Sequence, residues 1–225
     1  MTKRVKLEAR SGFEMQAEVA EPAGDARAPG VVLVQEWWGV NDHVKDLTTR
    51  LAGEGFLVIA PDLYDGKTTK DPAEAGALMQ ALDTARAVDQ IAGAVAWLKA
   101  SPRCSGKVGV TGFCMGGAMS FAAACHVPGL SAVVPFYGVP VPEKVDYAKV
   151  TAPIQAHVAE HDAWVTVAKA KAIQDELASR SHPMELCVYD AQHAFVNDTR
   201  PEVYHPENAK LAWGRMVEFF RKHLA

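Results

Sequence analysis

This chain of 225 residues has few or none of the features that indicate disulfide bonds, a cysteine-bound metal, a membrane span or secretion. It has only four cysteines, and no two of them stand in C-x-x-C spacing, so neither a disulfide framework nor a cysteine-based metal site is indicated. No apolar run is long enough to span a bilayer. The basic residues after Met1 are not followed by the apolar segment of a signal peptide. We therefore expect a cytoplasmic protein that makes no contact with a membrane.

The charge and composition exclude further classes of function. The formal net charge is only -4, and no run of basic residues interleaved with aromatics suggests a nucleic-acid partner. No cofactor or metal motif is present. At 49% hydrophobic and 22% charged residues, the chain can form a substantial core. Without an internal repeat or a Gly/Ser linker, we expect one domain over 1–225, acting as a monomer or a weak homo-oligomer.

Apolar runs typical of strands alternate with helical periodicity along the chain. A hairpin of 5–10 with 15–20 opens it, and 21–30 is predicted to be a loop. Predicted strands follow at 30–35, 56–61, 108–114, 130–137, 154–159 and 184–189. Predicted helices cover 43–54, 72–100 in one or two pieces, a segment from 116, 165–179 and 208–224. This alternation predicts an α/β fold with a mostly parallel, doubly wound sheet flanked by helices.

Cys114 is the most informative residue. It stands in the segment Gly112-Phe113-Cys114-Met115-Gly116, between an apolar strand pattern and a helix rich in small residues. This is the G-x-S-x-G nucleophile elbow with cysteine in the serine position. A buried structural cysteine in a glycine-rich turn is the simpler reading. The acid and the histidine that follow in the expected order favour a nucleophile.

A nucleophilic thiol needs a histidine base and an acid that orients it, in the chain order nucleophile, acid, histidine. Asp162 follows the strand 154–159 and is the predicted acid. Glu160 is the neighbouring alternative, and Asp162 could instead cap the next helix. His193 follows the last strand and is the predicted base, although His161 is a serious rival.

Two further features belong to the same predicted site. An oxyanion hole needs two N–H donors, and the backbone N–H groups of Met115 and Trp37 are the candidates. Glu36 ends a fully apolar strand, where a carboxylate either faces solvent or points into the site. Beside a cysteine nucleophile it could accept a hydrogen bond from the thiol and take its proton.

The chain resembles the dienelactone hydrolase (carboxymethylenebutenolidase) family in segments spread over nearly its whole length. These are Gln35-Glu36-Trp37-Trp38-Gly39, Ala60-Pro61-Asp62-Leu63-Tyr64, Gly112-Phe113-Cys114-Met115-Gly116-Gly117, Phe136-Tyr137-Gly138, His161-Asp162 and His193-Ala194-Phe195. The resemblance implies an α/β-hydrolase fold, a Cys114–His193–Asp162 triad and a gating role for Glu36. It also implies hydrolysis of an enol-lactone or ester through a thioester acyl-enzyme.

The resemblance also suggests which residues contact the substrate, and here the chain departs from the family. Predicted contacts are Trp38, Tyr64, Tyr137, Phe195 and Asn197. The chlorocatechol-pathway enzymes of the family carry a carboxylate-binding arginine four residues after the histidine, where this chain has Asn197. If the substrate is anionic, the candidate clamps are Arg86, Arg103 and Arg200.

The sequence thus predicts a cysteine-dependent hydrolase of a small lactone or activated ester. One alternative is a broad carboxylesterase or thioesterase without lactone specificity. Another, from a different class, is a redox-responsive or small-molecule-binding protein that kept the fold without turnover. The cysteine, aspartate and histidine together favour an enzyme.

Overall fold

The computed structural model describes all residues from Met1 to Ala225. Eight strands form one sheet in the order β1-β2-β4-β3-β5-β6-β7-β8. The strands are β1 Lys3–Glu8, β2 Glu14–Ala20, β3 Ala28–Val34, β4 Leu57–Pro61, β5 Cys104–Phe113, β6 Ala132–Phe136, β7 Gln155–Ala159 and β8 Glu185–Tyr189. The hairpin β1–β2 joins β4 antiparallel, and all other neighbours are parallel. The predicted fold class is confirmed.

Six α-helices lie between the strands or after the last of them. They are α1 Asp42–Gly53, α2 Pro72–Ala81, α3 Thr84–Ala100, α4 Met115–His126, α5 Val167–Ser179 and α6 Pro206–Leu224. The segment 72–100, predicted to be helical in one or two pieces, forms two helices. The first ends at Ala81, with Leu82 as its C-cap. Asp83 begins the second, because its carboxylate accepts a hydrogen bond from the Ala85 N–H as the N-cap of α3. No helix combines the length and apolar composition that crossing a bilayer would need.

The boundaries differ from the sequence predictions at a few places. Ala28 and Pro29 are the first residues of β3 rather than part of a loop, since the Ala28 N–H donates to the Arg103 carbonyl. The helix predicted from 165 begins at Val167, with the Thr166 side chain as its cap. Two short 3₁₀ turns at Pro142–Lys144 and Tyr147–Lys149 were not predicted.

The core consists of two apolar layers, one on each face of the sheet. Helices α3, α4 and α5 cover one face, and α1 and α6 cover the other. Along β3, Val32 and Val34 pack on the first side, and Val31 and Leu33 on the second. This alternation follows from the period of two in a strand, and burial on both faces explains why the run is continuously apolar.

The parallel strands bring several chain segments to one edge of the sheet. β3, β5, β6, β7 and β8 run in the same direction, so the segments that follow them meet at their carboxyl ends. Glu36, Cys114, Tyr137, Asp162 and His193 all lie in those segments. The topology therefore gathers the candidate site residues at a single edge.

Candidate active site

Cys114 occupies a sharp turn between β5 and α4. Its φ of 56° and ψ of -116° are strained for a residue with a side chain. Its N–H donates to the Phe136 carbonyl over 3.0 Å, which ties the turn to β6. The side chain is partly exposed at the N-terminus of α4. This is the geometry of a nucleophile elbow, in which the strain holds the thiol at the sheet edge.

Glycines make the turn possible. A Cβ on Gly112 would lie 2.3 Å from the Gly116 carbonyl oxygen, and one on Gly116 would lie 2.3 Å from the Val34 carbonyl oxygen. Both distances are shorter than atoms can approach, and the obstacles are backbone. The glycine spacing around Cys114 is therefore a packing requirement of the turn itself.

His193 and Asp162 meet across the two loops that follow β8 and β7. The Nδ1 of His193 is 2.6 Å from Asp162 Oδ2. Asp162 Oδ1 accepts from the backbone N–H groups of Trp164 and Val165, at 2.8 and 2.9 Å. Burial alone would raise the pKa of Asp162, but the hydrogen bonds from His193, Val165 and Trp164 hold it below its usual value. An ionised Asp162 can thus fix the imidazole with its Nε2 free to act as a base.

Aromatic rings fix the His193 imidazole from two directions. The ring centroid lies 5.1 Å from that of Tyr137 and 5.0 Å from that of Trp164, both edge-on. The buried Nε2 has no hydrogen-bond partner. Although Cys114 and His193 line the same cavity, the thiol is therefore not hydrogen-bonded to its candidate base in this conformation.

The alternative acid and base, Glu160 and His161, do not line the cavity that contains Cys114 and His193. His161 is exposed, and its Nε2 is 2.7 Å from Asp190 Oδ1. Glu160 is also exposed and lies close enough to His161 and Asp190 for the three to share a cation. Exposed acidic groups of this kind are common without a metal, so we assign them no site. Asp162 does not cap α5, whose N-cap is Thr166.

Glu36 is buried at the end of β3, with a residual exposure of 3%. Its Oε2 accepts a 2.7 Å hydrogen bond from the Asn197 amide, while Oε1 has no partner. Burial raises the pKa of Glu36, and the hydrogen bond from Asn197 opposes that rise. The Asn197 Oδ1 accepts from the Thr199 hydroxyl and N–H, which orients the amide with its nitrogen toward Glu36.

The environment of Cys114 disfavours a thiolate in this conformation. Burial and the negative charge of Glu36 raise the pKa of the thiol to about 12, and a hydrogen bond from the Met115 N–H opposes the rise. Burial and the same carboxylate raise the pKa of Tyr137. No hydrogen bond of normal geometry joins the Tyr137 hydroxyl to Glu36, since Tyr137 Oη and Glu36 Oε1 both lack a partner. The resting thiol is therefore neutral.

The two candidate oxyanion donors belong to residues that line the cavity together with Cys114. Met115 is the first residue of α4, so its N–H is one of the four that a helix leaves without an internal acceptor. Trp37 belongs to the loop after β3, and its side chain lines the cavity together with Met115 and Cys114. This placement fits the two-donor arrangement expected for the fold.

Cys114 and His193 open into a cavity of about 610 Å³. Its walls are mostly apolar, and most of its residues were not singled out by the sequence. Besides Cys114 and His193, the lining comes from the loop after β3, the α2–α3 junction, the start of α4, the segment after β6 and the loop after β7: Trp37, Met79, Gln80, Leu82, Thr84, Met115, Ala118, Met119, Tyr137, Gly138, Val139, Val141, Lys144, Trp164 and Val165. A second cavity of about 550 Å³, lined mainly by polar residues such as His43 and Asp62, does not include Cys114.

Of the predicted substrate contacts, only Tyr137 lines the cavity. Phe195 is fully buried and packs on Tyr137 and Tyr189, with centroid distances of 5.6 and 5.0 Å. The Tyr64 hydroxyl lies 3.0 Å from the Met115 sulfur, behind the elbow. Asn197 is buried against Glu36, and Trp38 lies outside the cavity next to Arg200. None of these four residues lines the cavity, and their contact with a substrate stays a prediction.

None of the three candidate arginine clamps lines the cavity. Arg86 pairs with Asp65 at 2.8 Å. Arg103 lies just before β5, at the opposite edge of the sheet, and donates to the carbonyls of Pro22 and Gly24. Arg200 pairs with Glu202 at 2.8 Å and lies 5.9 Å from the Trp38 ring. The structure thus leaves a substrate carboxylate without an arginine partner in the cavity.

The comparisons with known proteins agree with this geometry. The family model of the dienelactone hydrolase family matches residues 15–224. The chain belongs to the dienelactone hydrolase family. It is 37% identical over 227 residues to "Protein usf" of Aquifex pyrophilus, which covers 96% of both chains. It is 32% identical to "Putative carboxymethylenebutenolidase" of Aquifex aeolicus (strain VF5), again over 96% of both chains.

A solved structure extends this likeness to the fold. The crystal structure of "Putative Dienelactone Hydrolase" from Klebsiella pneumoniae subsp. pneumoniae MGH 78578 superposes with a TM-score of 0.86 at 30% identity, covering 98% of this chain and 99% of the other. The chain therefore has the α/β-hydrolase fold. As a member of this family it is a hydrolase of ester or lactone bonds.

Changing Asp162 to asparagine should lower turnover about 10⁴-fold, because the amide would no longer stabilise the imidazolium or hold the required tautomer. Steady-state kinetics on an activated ester measures this effect. Glu160→Gln is the matched control, since that carboxylate is exposed two residues away. A larger loss in Glu160→Gln than in Asp162→Asn would show that the acid is misassigned.

Proposed function

We propose that this protein is a cysteine-dependent hydrolase that cleaves a small lactone or activated ester through a thioester acyl-enzyme. The observation that supports this most is the shared cavity of Cys114 and His193, with His193 bound to Asp162 at 2.6 Å. A strained elbow, a free imidazole nitrogen and an ionised acid are the parts that acyl transfer requires.

Acylation begins with transfer of the thiol proton to Glu36 as the substrate binds. The thiolate attacks the carbonyl carbon, and the oxyanion accepts hydrogen bonds from the N–H groups of Trp37 and Met115. When the intermediate collapses, the C–O bond to the leaving group breaks and a thioester to Cys114 remains. An enolate is a good leaving group, which suits enol-lactones and activated esters better than amides.

Deacylation uses His193. Its Nε2 removes a proton from water, and the oxygen attacks the thioester carbonyl, expelling the Cys114 thiolate and releasing the acid. The imidazolium then gives its proton to the enolate of an opened lactone, which stays attached through the acyl group, or to solvent where the leaving group of an ester has already departed. Glu36 returns its proton to Cys114, so the enzyme regains its resting state and one water has been consumed per bond cleaved.

Glu36 protects the enzyme between turnovers. A permanent thiolate would be alkylated and oxidised readily. Burial of the thiol and the charge of Glu36 together raise the pKa of Cys114, which stays neutral until a substrate rearranges the pair. Asn197 supports this role, because its amide orients Glu36 without introducing a second charge.

The proposal is tested with a panel that contains an enol-lactone, an activated aryl ester, a thioester and an unactivated alkyl ester. We expect turnover of the first two, and mass spectrometry during turnover should detect an adduct on Cys114 with the mass of the acyl group. A flat profile over all four substrates would favour the alternative of a broad carboxylesterase or thioesterase. Turnover without any adduct on Cys114 would contradict covalent catalysis by this thiol.

Changing Glu36 to glutamine should lower turnover without lowering the rate at which the Cys114 thiol is alkylated. The variant has no carboxylate to take the thiol proton, so kcat/KM should fall by roughly 10² to 10⁴, the usual contribution of a positioned base. Its thiol pKa should fall as well, because the opposing charge is gone. Alkylation of Cys114 by iodoacetamide, measured against pH, should therefore be as fast as in the wild type or faster.

Glu18→Gln is the matched control, because Glu18 is another buried glutamate but is paired with Arg4 on β1. It should change neither measurement. Wild-type turnover in Glu36→Gln would end the gating hypothesis and leave Glu36 as a strand-end carboxylate.

A further inference from the structure

We infer that the cavity selects uncharged substrates that carry an extended apolar group, and that an apolar rim formed by Met79, Val141 and Trp164 binds that group. This inference rests on the proposed function and adds its substrate class. It follows from three observations: the apolar walls, the exposure of the rim and the distribution of charge.

The rim exposes large apolar side chains that a folded chain usually buries. Met79 is 38% exposed, Val141 56% and Trp164 62%, and all three line the same cavity. They come from three separate segments, namely α2, the loop after β6 and the loop after β7. Seven large hydrophobic residues are exposed in the whole chain, so nearly half of them surround one opening.

Such a concentration indicates a binding surface, because exposed apolar side chains scattered singly are ordinary, whereas a group around one opening is not. The walls behind the rim continue it, with Leu82, Met119 and Val139 further along the cavity lining. A substrate that only filled the space around Cys114 would leave the rim in water. A longer acyl or aryl group would cover it and gain the corresponding hydrophobic free energy.

The distribution of charge disfavours an anionic substrate. Lys144 is the only lysine or arginine in the lining, and it is exposed at the surface without an acidic partner. An ammonium in water attracts a carboxylate only weakly. Within the cavity, a substrate carboxylate would lose hydration without an arginine or a buried lysine to pair with. The substrate class is therefore neutral.

The test compares esters that differ only in chain length or in one charge. For p-nitrophenyl acetate, butyrate and hexanoate, kcat/KM of the wild type should rise about tenfold or more along the series, in line with the effect of added methylenes in an apolar pocket. For p-nitrophenyl hydrogen adipate and its methyl ester, the neutral methyl ester should be the better substrate by a similar factor.

Variants locate the preference at the rim. Met79→Ser and Val141→Ser, alone and together, should reduce the ratio of hexanoate to acetate kcat/KM several-fold. Leu211→Ser is the matched control, since Leu211 is 49% exposed on α6 and does not line the cavity; it should leave the ratio unchanged. The Lys144→Ala variant should still hydrolyse the neutral methyl ester faster than p-nitrophenyl hydrogen adipate.

The outcomes separate this inference from the proposed function. A flat chain-length series, or a preference for adipate that Lys144→Ala abolishes, would overturn the inference. Acetate turnover that disappears in Cys114→Ala would still support the proposed function. Acetate turnover that persists in Cys114→Ala would overturn the proposed function, whatever the chain-length series shows.

Discussion

Changing Cys114 to alanine should lower turnover of any ester or lactone substrate by a factor of roughly 10⁴ to 10⁶. Without the thiol no thioester can form, and the oxyanion donors and the cavity alone give only residual catalysis. The fold should be unaffected, because alanine adds no atoms to the turn between Gly112 and Gly116. Steady-state kinetics with a circular dichroism melting curve measures both effects.

Two controls sharpen this experiment. Cys187→Ala removes another partly exposed thiol, on β8 and outside the cavity, and should retain full activity. Cys114→Ser keeps the shape of the side chain but has a much higher pKa than a thiol, so it should also be nearly inactive. Activity of Cys114→Ala within about tenfold of the wild type would exclude Cys114 as the nucleophile.

Changing His193 to alanine should be as damaging as loss of the nucleophile, because deacylation loses the group that removes the proton from water. The loss should fall mainly on hydrolysis of the thioester, so the acyl-enzyme should accumulate. Rapid-quench mass spectrometry on an activated ester would detect this accumulation as a stable adduct on Cys114.

His161→Ala is the matched control for this prediction. His161 is exposed and bound to Asp190, so its loss should leave turnover within about twofold of the wild type. Free imidazole should partly restore His193→Ala, since the alanine leaves a ring-sized space beside Tyr137 and Trp164. If His161→Ala were the more damaging change, the assignment of the base would be wrong.

Cys114, Asp162 and His193 could be assigned to one site from their order in the sequence. The elbow, the acid and the histidine each follow a strand of readable apolar pattern, and parallel strands bring the segments after them to one edge. The sequence therefore predicted that Cys114, Asp162 and His193 would lie near one another. It could not predict that the thiol and the imidazole are not hydrogen-bonded in this conformation, because that depends on side-chain rotamers.

Three of the predicted substrate contacts do not line the cavity, and for all three the reason is the same. Phe195, Tyr64 and Asn197 were expected to touch the substrate because they stand close in sequence to site residues. In a loop or strand, successive side chains can point to opposite sides, so sequence proximity does not determine which of them faces a cavity. The Asn197 amide donates a hydrogen bond to Glu36, and Phe195 packs in the core.

The sequence by itself determined the alternation of strands and helices, the elbow and the order of the candidate triad, since these depend on local patterns of apolar residues and glycine. Only the tertiary structure decided what surrounds the thiol. The cavity walls come from α2, α3, α4 and the segment after β6, elements far apart in sequence whose meeting depends on how helices pack on the sheet. The burial of Glu36 and the raised pKa of Cys114 follow from that packing, because both depend on the exclusion of water by distant segments.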